Sequence, residues 1–387
     1  EESYLFIQGP PGAGKTYTGS RVIVELLQKG KKVGVSSNSH KAINNLLNAI
    51  ERDAIKSGLK FRGVKKSSED NISTHLDGKM IVDVFDNKVV FGGKYQLIAG
   101  TAWLFSDTQM DQTLDYIFID EAGQIALANL VALGTSARNI VLLGDQMQLG
   151  QPVQGVHPGL SGESSLDYLL EGQATIPPDR GIFLKTSWRL HPAVCSFISD
   201  AVYDGRLQPE TQNSKRKLVL NSTAHSALMP AGIRYIPANH DGCSQFSREE
   251  ADLIKSIYEN LLSQSYTDAE EQLHSITAEN ILIVAPYNMQ VALLKRVLPT
   301  NARVGTVDKF QGQEAEIVLV SMATSSGEDL PINIEFLYSK NRLNVAVSRA
   351  KCLAIVAANP ALMSIHCKTP EQMALVNTLC WLSMIYC

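Results

Sequence analysis

No apolar run in this 387-residue sequence reaches the roughly 18 residues that a membrane-spanning helix needs, so no span is expected. An excess of one charge is also missing. Lysine and arginine number 35 against 39 aspartates and glutamates, a net charge of −4, and the pI is near 6.1. A surface that is basic throughout is thereby excluded. Any contact with a polyanion must come from local basic or polar grooves. Cysteines are few (Cys195, Cys243, Cys352, Cys367, Cys380 and Cys387), and no two have Cys-x-x-Cys spacing. That argues against a disulfide scaffold or a thiolate metal site, and reduced thiols in a cytoplasmic protein are expected. The opening Glu-Glu-Ser lacks the pattern of a secretory leader. It lies so close to the first strand that a piece cut from a longer polypeptide is expected. Short repeats and low-complexity tracts are absent.

What remains is the composition of a soluble globular protein, 44% hydrophobic and 19% charged. At roughly 100–200 residues per domain the length predicts two or three domains. Short apolar β-rich runs alternate with helical stretches, the pattern of a parallel sheet flanked by helices. Strands are predicted at Tyr4–Gln8, Lys32–Ser36, Gln96–Gly100, Tyr116–Asp120 and Asn139–Gly144. Helices are predicted after Gly14 and over Lys41–Ile55 and Leu127–Gly134. The scheme then repeats, with strands at Gly181–Leu184, Gly232–Ile236, Asn280–Ala285, Arg303–Thr306, Glu316–Met322 and Cys352–Ala357. Its helices fall at Pro192–Tyr203, Arg248–Ser263, Met289–Val297 and Lys340–Ala350. A Gly/Pro-rich passage, Gly150–Gly162, separates the halves, and the boundary is placed near residue 175. Ser57–Lys94 is polar without clear period and reads as an insertion in the first domain. Asn213–Pro230 reads as a second polar excursion.

The most specific signal is Gly9-Pro10-Pro11-Gly12-Ala13-Gly14-Lys15-Thr16, which fits G-x-x-x-x-G-K-[ST] directly after a strand and before a helix. Glycines let backbone N–H groups face phosphates. Lys15 supplies a cation for the β and γ phosphates, and the Thr16 hydroxyl is placed for Mg²⁺. ATP with Mg²⁺ is the expected ligand pair. The complementary acidic element is Tyr116-Ile-Phe-Ile-Asp120-Glu121. There Asp120 is expected to hold Mg²⁺ through water, and Glu121 to polarise the attacking water. A third buried strand ends in Gly144-Asp145-Gln-Met-Gln148. Gln148 could reach a γ-phosphate or the water, or simply cap the strand. The second half offers arginines: Arg189 in Trp188-Arg-Leu-His-Pro192, and Arg342 with Arg349, seven apart and expected on one helical face. Arginines at a ligand edge stabilise charge in phosphoryl transfer.

In this order the motifs resemble those of superfamily 1 helicases across nearly the whole chain. Added to those above are Ser36-Ser-Asn38-Ser-His-Lys-Ala-Ile-Asn44, Gly100-Thr101-Ala-Trp103, Ala285-Pro286-Tyr287-Asn-Met-Gln290, Val307-Asp-Lys-Phe-Gln-Gly312-Gln-Glu314 and Leu343-Asn-Val-Ala-Val-Ser-Arg349-Ala350. Gly-Asp-x-x-Gln-Leu and Arg-x-His-Pro resemble the 1B branch, which holds the nonsense-mediated-decay helicase and replication helicase–nucleases. The resemblance implies two RecA-like α/β domains, 1–175 and 176–387, with one ATP–Mg²⁺ site in the cleft between them. It implies that Gln148, Arg189 and Arg349 contact the γ-phosphate, Glu314 the ribose and Gly312 the phosphates. Trp188 stands where the family usually has Tyr near the base. Asn38, Thr101, Pro286, Tyr287 and Thr306 fall at strand-binding positions; Trp103 stacks a base or packs in the core. The motif after Glu121 reads Ala-Gly-Gln124 where relatives often carry a hydroxyl residue before the glutamine. The adenine-reading glutamine motif, the small β-barrel of this branch and a nuclease domain are expected, if anywhere, in sequence outside this chain. The implied function is ATP-driven 5′ to 3′ movement on single-stranded or tailed nucleic acid, DNA favoured over RNA, by a cytoplasmic monomer. The alternatives are an RNA helicase, or an ATP-regulated nucleic-acid clamp or protein-remodelling switch without unwinding.

Overall fold

The computed structural model describes residues 3–151, 155 and 157–385. Pro152–Gln154 and Val156 of the predicted Gly150–Gly162 passage, and Cys387, lie outside the described residues. The chain forms two compact units, Glu1–Gln146 with Gly150–Leu184, and Met147–Leu149 with Lys185–Cys387.

The first unit holds β1 (Tyr4–Gln8), β2 (Val33–Ser36), β3 (Gly63–Lys66), β4 (Ile81–Val84), β5 (Leu97–Gly100), β6 (Leu114–Ile119), β7 (Ala137–Gly144) and β8 (Gly181–Phe183). Its helices are α1 (Lys15–Gln28), α2 (His40–Ser57), α3 (Asn87–Gly92), α4 (Ala102–Phe105), α5 (Leu127–Gly134) and α6 (Ser165–Leu170). The strands form one sheet in the order β4-β3-β5-β2-β6-β7-β1-β8, and every pairing is parallel. Parallel strands need crossovers, and the helices supply them on both faces. The period of two decides which face each residue serves. Ile7, Val35, Phe118, Val141 and Leu143 join Ile23, Leu27, Ile43, Leu46 and Ile50 of α1 and α2 in one core. Their neighbours Phe6, Ile117, Ile119 and Leu142 point to the other face, with Leu104, Phe105 and Leu166. Each such fully buried side chain contributes about 1.5–3 kcal/mol.

Two sequence expectations change here. Ser57–Lys94, read as an insertion without clear period, supplies strands β3 and β4 at the edge of the sheet. Its polar look has a cause. Lys65 is fully buried, and its Nζ donates to Ser67 Oγ (2.6 Å) and to the Thr74 carbonyl, 3.6 Å from Asp83 Oδ1. Glu51 of α2 accepts the backbone N–H groups of Met80 (2.7 Å) and Ile81 (2.9 Å), which ties the start of β4 to the helix. Secondly, the run predicted at Gly181–Leu184 belongs to the first sheet, where Phe6, Ile7 and Gln8 pair with Gly181, Ile182 and Phe183. Gly181 fits because a Cβ there would lie 2.2 Å from the Phe6 carbonyl oxygen.

The second unit opens with β9 (Thr186–Ser187), parallel to β10 (Gln208–Pro209), and α7 (Pro192–Val202). The polar stretch from Asn213 carries β11 (Lys217–Val219). Its main sheet begins with β12 (Gly232–Pro237), followed by α8 (Arg248–Leu261). Strands β13 (Ser265–Thr267) and β14 (Leu273–Ser275) make a small antiparallel sheet with β11. Then come β15 (Ile281–Val284), α9 (Asn288–Val297), β16 (Arg303–Gly305), β17 (Ala315–Ser321), α10 (Ile334–Leu337), α11 (Lys340–Val347), β18 (Ala350–Ala358) and α12 (Pro370–Ile385). The main sheet, β12-β18-β17-β15-β16, is again all parallel. Ile281, Ile283, Ile317, Leu319 and Leu353 pack under Ile254, Ile257 and Leu261 of α8. Each unit is thus a parallel sheet flanked by helices. Two helical expectations shift. α11 stops at Val347, so Arg349 lies beyond its end and shares no helical face with Arg342. The C-terminal α12 was not foreseen, because Pro370–Ile385 is apolar on most sides and shows no period.

Candidate functional site

The phosphate loop leaves the carboxyl end of β1 and enters α1. Gly14 caps the helix in the left-handed region (φ 84°), and Gly12 is also left-handed (φ 73°). Neither conformation suits a side chain. Gly9 serves differently. It has no positive φ, but a Cβ there would stand 2.0 Å from Lys15 Cγ. The lysine lies back across this glycine, and its Nζ donates to the Gly9 carbonyl at 2.7 Å. The turn is closed by Ala13 N–H on the Pro10 carbonyl (3.0 Å) and Gly9 N–H on the Gly144 carbonyl (2.9 Å). No side chain caps α1, and its first turn holds no acidic residue. Its amino-terminal N–H groups and dipole would therefore meet an anion with no carboxylate of the helix's first turn to oppose it. Thr16 sits in that first turn.

Asp120 follows β6 and is 5% exposed. Its N–H donates to the Ser36 carbonyl (2.8 Å), and its Oδ1 accepts the Glu121 N–H at 3.0 Å. Burial, then the adjoining Glu121 charge, push its pKa up to about 7 against the pull of Lys15. A carboxylate held there beside a second one is short of positive charge. The Asp120 carboxylate and the Thr16 hydroxyl are both hard-oxygen donors, the kind of ligand that suits Mg²⁺. Glu121 is left-handed at φ 52° and ψ 45°. Such a backbone in a non-glycine residue costs about 1–3 kcal/mol and clusters at functional sites. The turn after it packs on the end of β7 without Cβ atoms. A Cβ on Gly144 would lie 3.1 Å from Ala122 N, and one on Gly123 would lie 3.3 Å from the Asp145 carbonyl oxygen.

Asp145 is buried and takes Gln8 Nε2 on Oδ1 at 3.3 Å. Gln8 also donates to the Ala174 carbonyl (2.9 Å) and accepts the Ile176 N–H (2.7 Å). It therefore ties the end of β1 to the segment that leads into β8. Sequence reasoning missed Gln8; the signal was a polar side chain closing an otherwise apolar strand. Gln148 belongs to the second unit. There its carbonyl accepts Asn341 Nδ2 (2.7 Å), and that of Met147 accepts Asn344 Nδ2 (2.8 Å). Both asparagines are on α11, and neither was singled out from sequence.

The second unit brings Arg189, Gly312, Glu314 and Arg349 together. Arg189 Nε pairs with Glu314 Oε2, and its Nη1 donates to the Ser348 carbonyl at 3.4 Å. Arg349 is 3% exposed and donates from Nη1 to the Gln313 carbonyl (3.3 Å). Its own carbonyl accepts the Ala315 N–H at 3.0 Å. Gly312 is left-handed, φ 75°. Lys351, a further residue missed from sequence, lies 3.3 Å from Glu314 and 3.4 Å from Glu316. Burial would raise the Glu314 pKa, but Arg189 and Lys351 outweigh it and hold the carboxyl below its usual range. Trp188, beside Arg189, is 62% exposed and offers a flat face. Arg342 pairs instead with Asp308 (3.1 Å) and lies over the Phe336 ring at 4.4 Å.

Of the strand-contact candidates, Asn38 is exposed and donates from Nδ2 to the Gln124 carbonyl. Trp103 is 86% exposed, which rules out the packed-core alternative. Thr101 stands half-buried just before α4, and Pro286 and Thr306 are half-buried after β15 and β16. Tyr287 departs from expectation. It is buried, and its ring stacks on Phe336 at 5.6 Å and 27°.

A strand–loop–helix phosphate cradle, with the buried Asp120 and the half-buried Glu121 at the end of β6 in the same sheet, defines a P-loop NTPase. Family models described as AAA domain match residues 162–361, over half of the chain, and residues 1–158. The chain belongs to this AAA-domain family, in its superfamily 1B helicase branch. Three curated relatives come from Schizosaccharomyces pombe. "DNA polymerase alpha-associated DNA helicase A" is 24% identical over 89% of this chain and 59% of its own. "DNA replication ATP-dependent helicase/nuclease dna2" is 28% identical over 94% of this chain and 27% of its own. "ATP-dependent helicase upf1" is 26% identical over 93% and 43%. The chain thus spans between about a quarter and three fifths of these relatives' lengths.

Proposed function

We propose that this chain is the ATP-hydrolysing motor of a nucleic-acid helicase, moving 5′ to 3′ on a single strand, DNA in preference to RNA. The observation that carries the reading is Glu121, held left-handed beside the buried Asp120 after β6, in the same sheet as β1, which leads into the Gly9–Thr16 cradle. In this reading the residues Gly9 to Thr16 wrap the triphosphate, and Lys15 meets its β and γ oxygens. Thr16 and Asp120 would hold Mg²⁺, whose charge would offset that of the phosphates. Glu121 takes a proton from the attacking water. The water oxygen–phosphorus bond forms as the bond from γ phosphorus to the bridging oxygen breaks, leaving ADP and phosphate. Arg189, Arg349 and Gln148 act on the γ-phosphate, Glu314 on the ribose, Gly312 beside the phosphates and Trp188 on the base. Asn38, Thr101, Trp103, Pro286, Tyr287 and Thr306 serve the strand; Tyr287 would have to leave its stack on Phe336 to reach a base. A cytoplasmic setting, a monomer and a link to a nuclease in a longer polypeptide are part of this reading, the last supported by the helicase/nuclease relative.

Phosphate release measured with and without single-stranded oligonucleotides tests it. Strand-stimulated turnover is expected, with Glu121→Gln down about 10²–10⁴-fold, the span of general-base contributions. Wild-type turnover in that variant would remove Glu121 from its role. Arg349→Ala should abolish turnover and spare much of ATP binding; loss of binding alone would contradict a transition-state role. Opening of a 5′-tailed but not a 3′-tailed duplex is expected. Strand-stimulated ATPase without opening would favour the clamp reading.

A further inference from the structure

In the proposed motor Arg189 serves the γ-phosphate and Glu314 the ribose, yet here the two hold each other. Arg189 Nε lies 2.5 Å from Glu314 Oε2. An arginine bound to a carboxylate is not free to meet a phosphate, so the pair has to part in each turnover. A charged group that loses its partner in a half-buried place keeps an uncompensated cost. How easily Arg189 leaves therefore depends on what stays behind with Glu314.

The second unit supplies a replacement. Lys351 Nζ stands 3.3 Å from Glu314 Oε1, the oxygen that Arg189 Nε does not take, and 3.4 Å from Glu316 Oε1. Arg216 Nη1 lies 3.8 Å from that same Glu316 oxygen. Arg189, Lys351 and Arg216 thus face Glu314 and Glu316, three cations to two carboxylates. With Arg189 withdrawn, each carboxylate still has a cation. Without Lys351, Arg189 would be the last cation on Glu314 among the described residues.

The backbone is shaped for this contact. Ala350 of β18 pairs with Ala315 of β17, and Leu353 with Ile317, so Lys351 and Cys352 together stand opposite Glu316. An extra residue of this kind is a β-bulge, which re-aims a side chain and is frequent beside active sites. Cys352 goes into the core, while Lys351 stays half-buried against both carboxylates. The Lys351 carbonyl also accepts the His191 N–H at 2.8 Å, which anchors the segment that carries Arg189.

We propose that Lys351 is a positioning residue that releases Arg189, keeping Glu314 ion-paired when the arginine turns to phosphate. It touches no substrate itself. The proposal rests on the motor reading above and adds to it a hand-over within the second unit. It also fixes the sign of a coupling. Once Lys351 is gone, Glu314 clamps Arg189, so removing the Glu314 charge as well should set the arginine free.

Steady-state phosphate release by the whole chain, with ATP varied and oligo-dT saturating, tests this. Lys351→Met should lower kcat about tenfold, the scale of coupling between contacting residues, while KM for ATP changes little. Lys351→Arg should keep most of kcat. Glu314→Gln alone should act mainly on KM, through the lost ribose contact. Lys351→Met with Glu314→Gln should turn over faster at saturation than Lys351→Met alone. If Lys351→Met proves too unstable in urea melts, the same recovery is required of Lys351→Gln on adding Glu314→Gln. Wild-type kcat in the Lys351 variants, or a double variant slower than the single one, would overturn the hand-over while the motor reading stands. If the wild type releases no phosphate from ATP, both fall.

Discussion

Gly9→Ala isolates what the first glycine of the phosphate loop is for. An alanine is allowed by the backbone here, since Gly9 has no positive φ. The three atoms nearest its methyl would all belong to Lys15, at 2.0 Å (Cγ), 2.8 Å (Cδ) and 3.4 Å (Cβ). Ordinary carbon contacts sit at about 3.5–4.0 Å, so the lysine stem must move by more than an ångström and release the Gly9 carbonyl that its Nζ now bonds at 2.7 Å. A misplacement of about 1 Å in a positioned group costs about 10²-fold in rate. Phosphate release by Gly9→Ala should therefore fall about a hundredfold at saturating ATP. The fold should hardly notice, because the atoms nearest the methyl belong to Lys15 and not to a core side chain. Urea melts should agree with wild type within about 0.5 kcal/mol, the usual span of substitutions away from such features. Turnover within threefold of wild type, with Lys15→Ala inactive, would refute the claim that this glycine makes room for the lysine. A large loss of stability would show that Gly9 is needed by the fold instead.

Other expectations concern what holds the site up. Lys65→Met leaves Asp83 without its buried cation and should destabilise the chain by about 3–5 kcal/mol, whereas Lys65→Met with Asp83→Leu should recover much of that in the same urea melts. Recovery of nothing would mean that the lysine acts through packing alone. Gly144→Ala pushes a methyl to 2.8 Å from Leu166 and 3.1 Å from Ala122 N; the strain, about 1–3 kcal/mol for overpacking, should appear as a lowered midpoint, and an unchanged one would deny the tight seat of the Asp120–Gln124 turn. Glu314 has a lowered pKa in the fold, so the stability it adds is present above the unfolded carboxyl pKa and is lost as pH falls through the lower folded value. Glu314→Gln should therefore cost stability at pH 7 and progressively less below about pH 4.5; a cost that stays constant on acidification would contradict the pairing with Arg189 and Lys351.

The strands that sequence revealed best are those buried on both faces. β15 is apolar throughout, and β1, β7 and β17 hold apolar runs at residues 4–7, 140–143 and 317–320, because a parallel sheet flanked by helices covers both sides of most of its length. β3 and β4 escaped notice because a buried lysine and an aspartate occupy strand positions, and only the fold brings them within reach of each other. β8 was seen as a strand but given to the wrong unit, since period and composition say nothing about which neighbour a strand will choose. The site divides in the same way. Gly9–Thr16 and Asp120–Glu121 are local, so spacing alone carried them. The ties from Gln8 to residues 174–176 and from Lys351 to Glu314 join distant segments, and no local pattern announces them. Arg349 was tied to a helix that ends two residues earlier.

The place of β1 in its sheet also bears on how the chain comes off the ribosome. β1 is made before every other strand of its sheet, yet it is flanked by β7 and β8, whose residues begin at Ala137 and Gly181. At about 5–20 residues per second, β1 with its phosphate loop waits many seconds for either flank. The sheet's opposite half, β2 to β6, can assemble in that interval. The nucleotide cradle is therefore among the last parts of the first unit to close, and until then β1 is an unpaired apolar strand for a chaperone to cover.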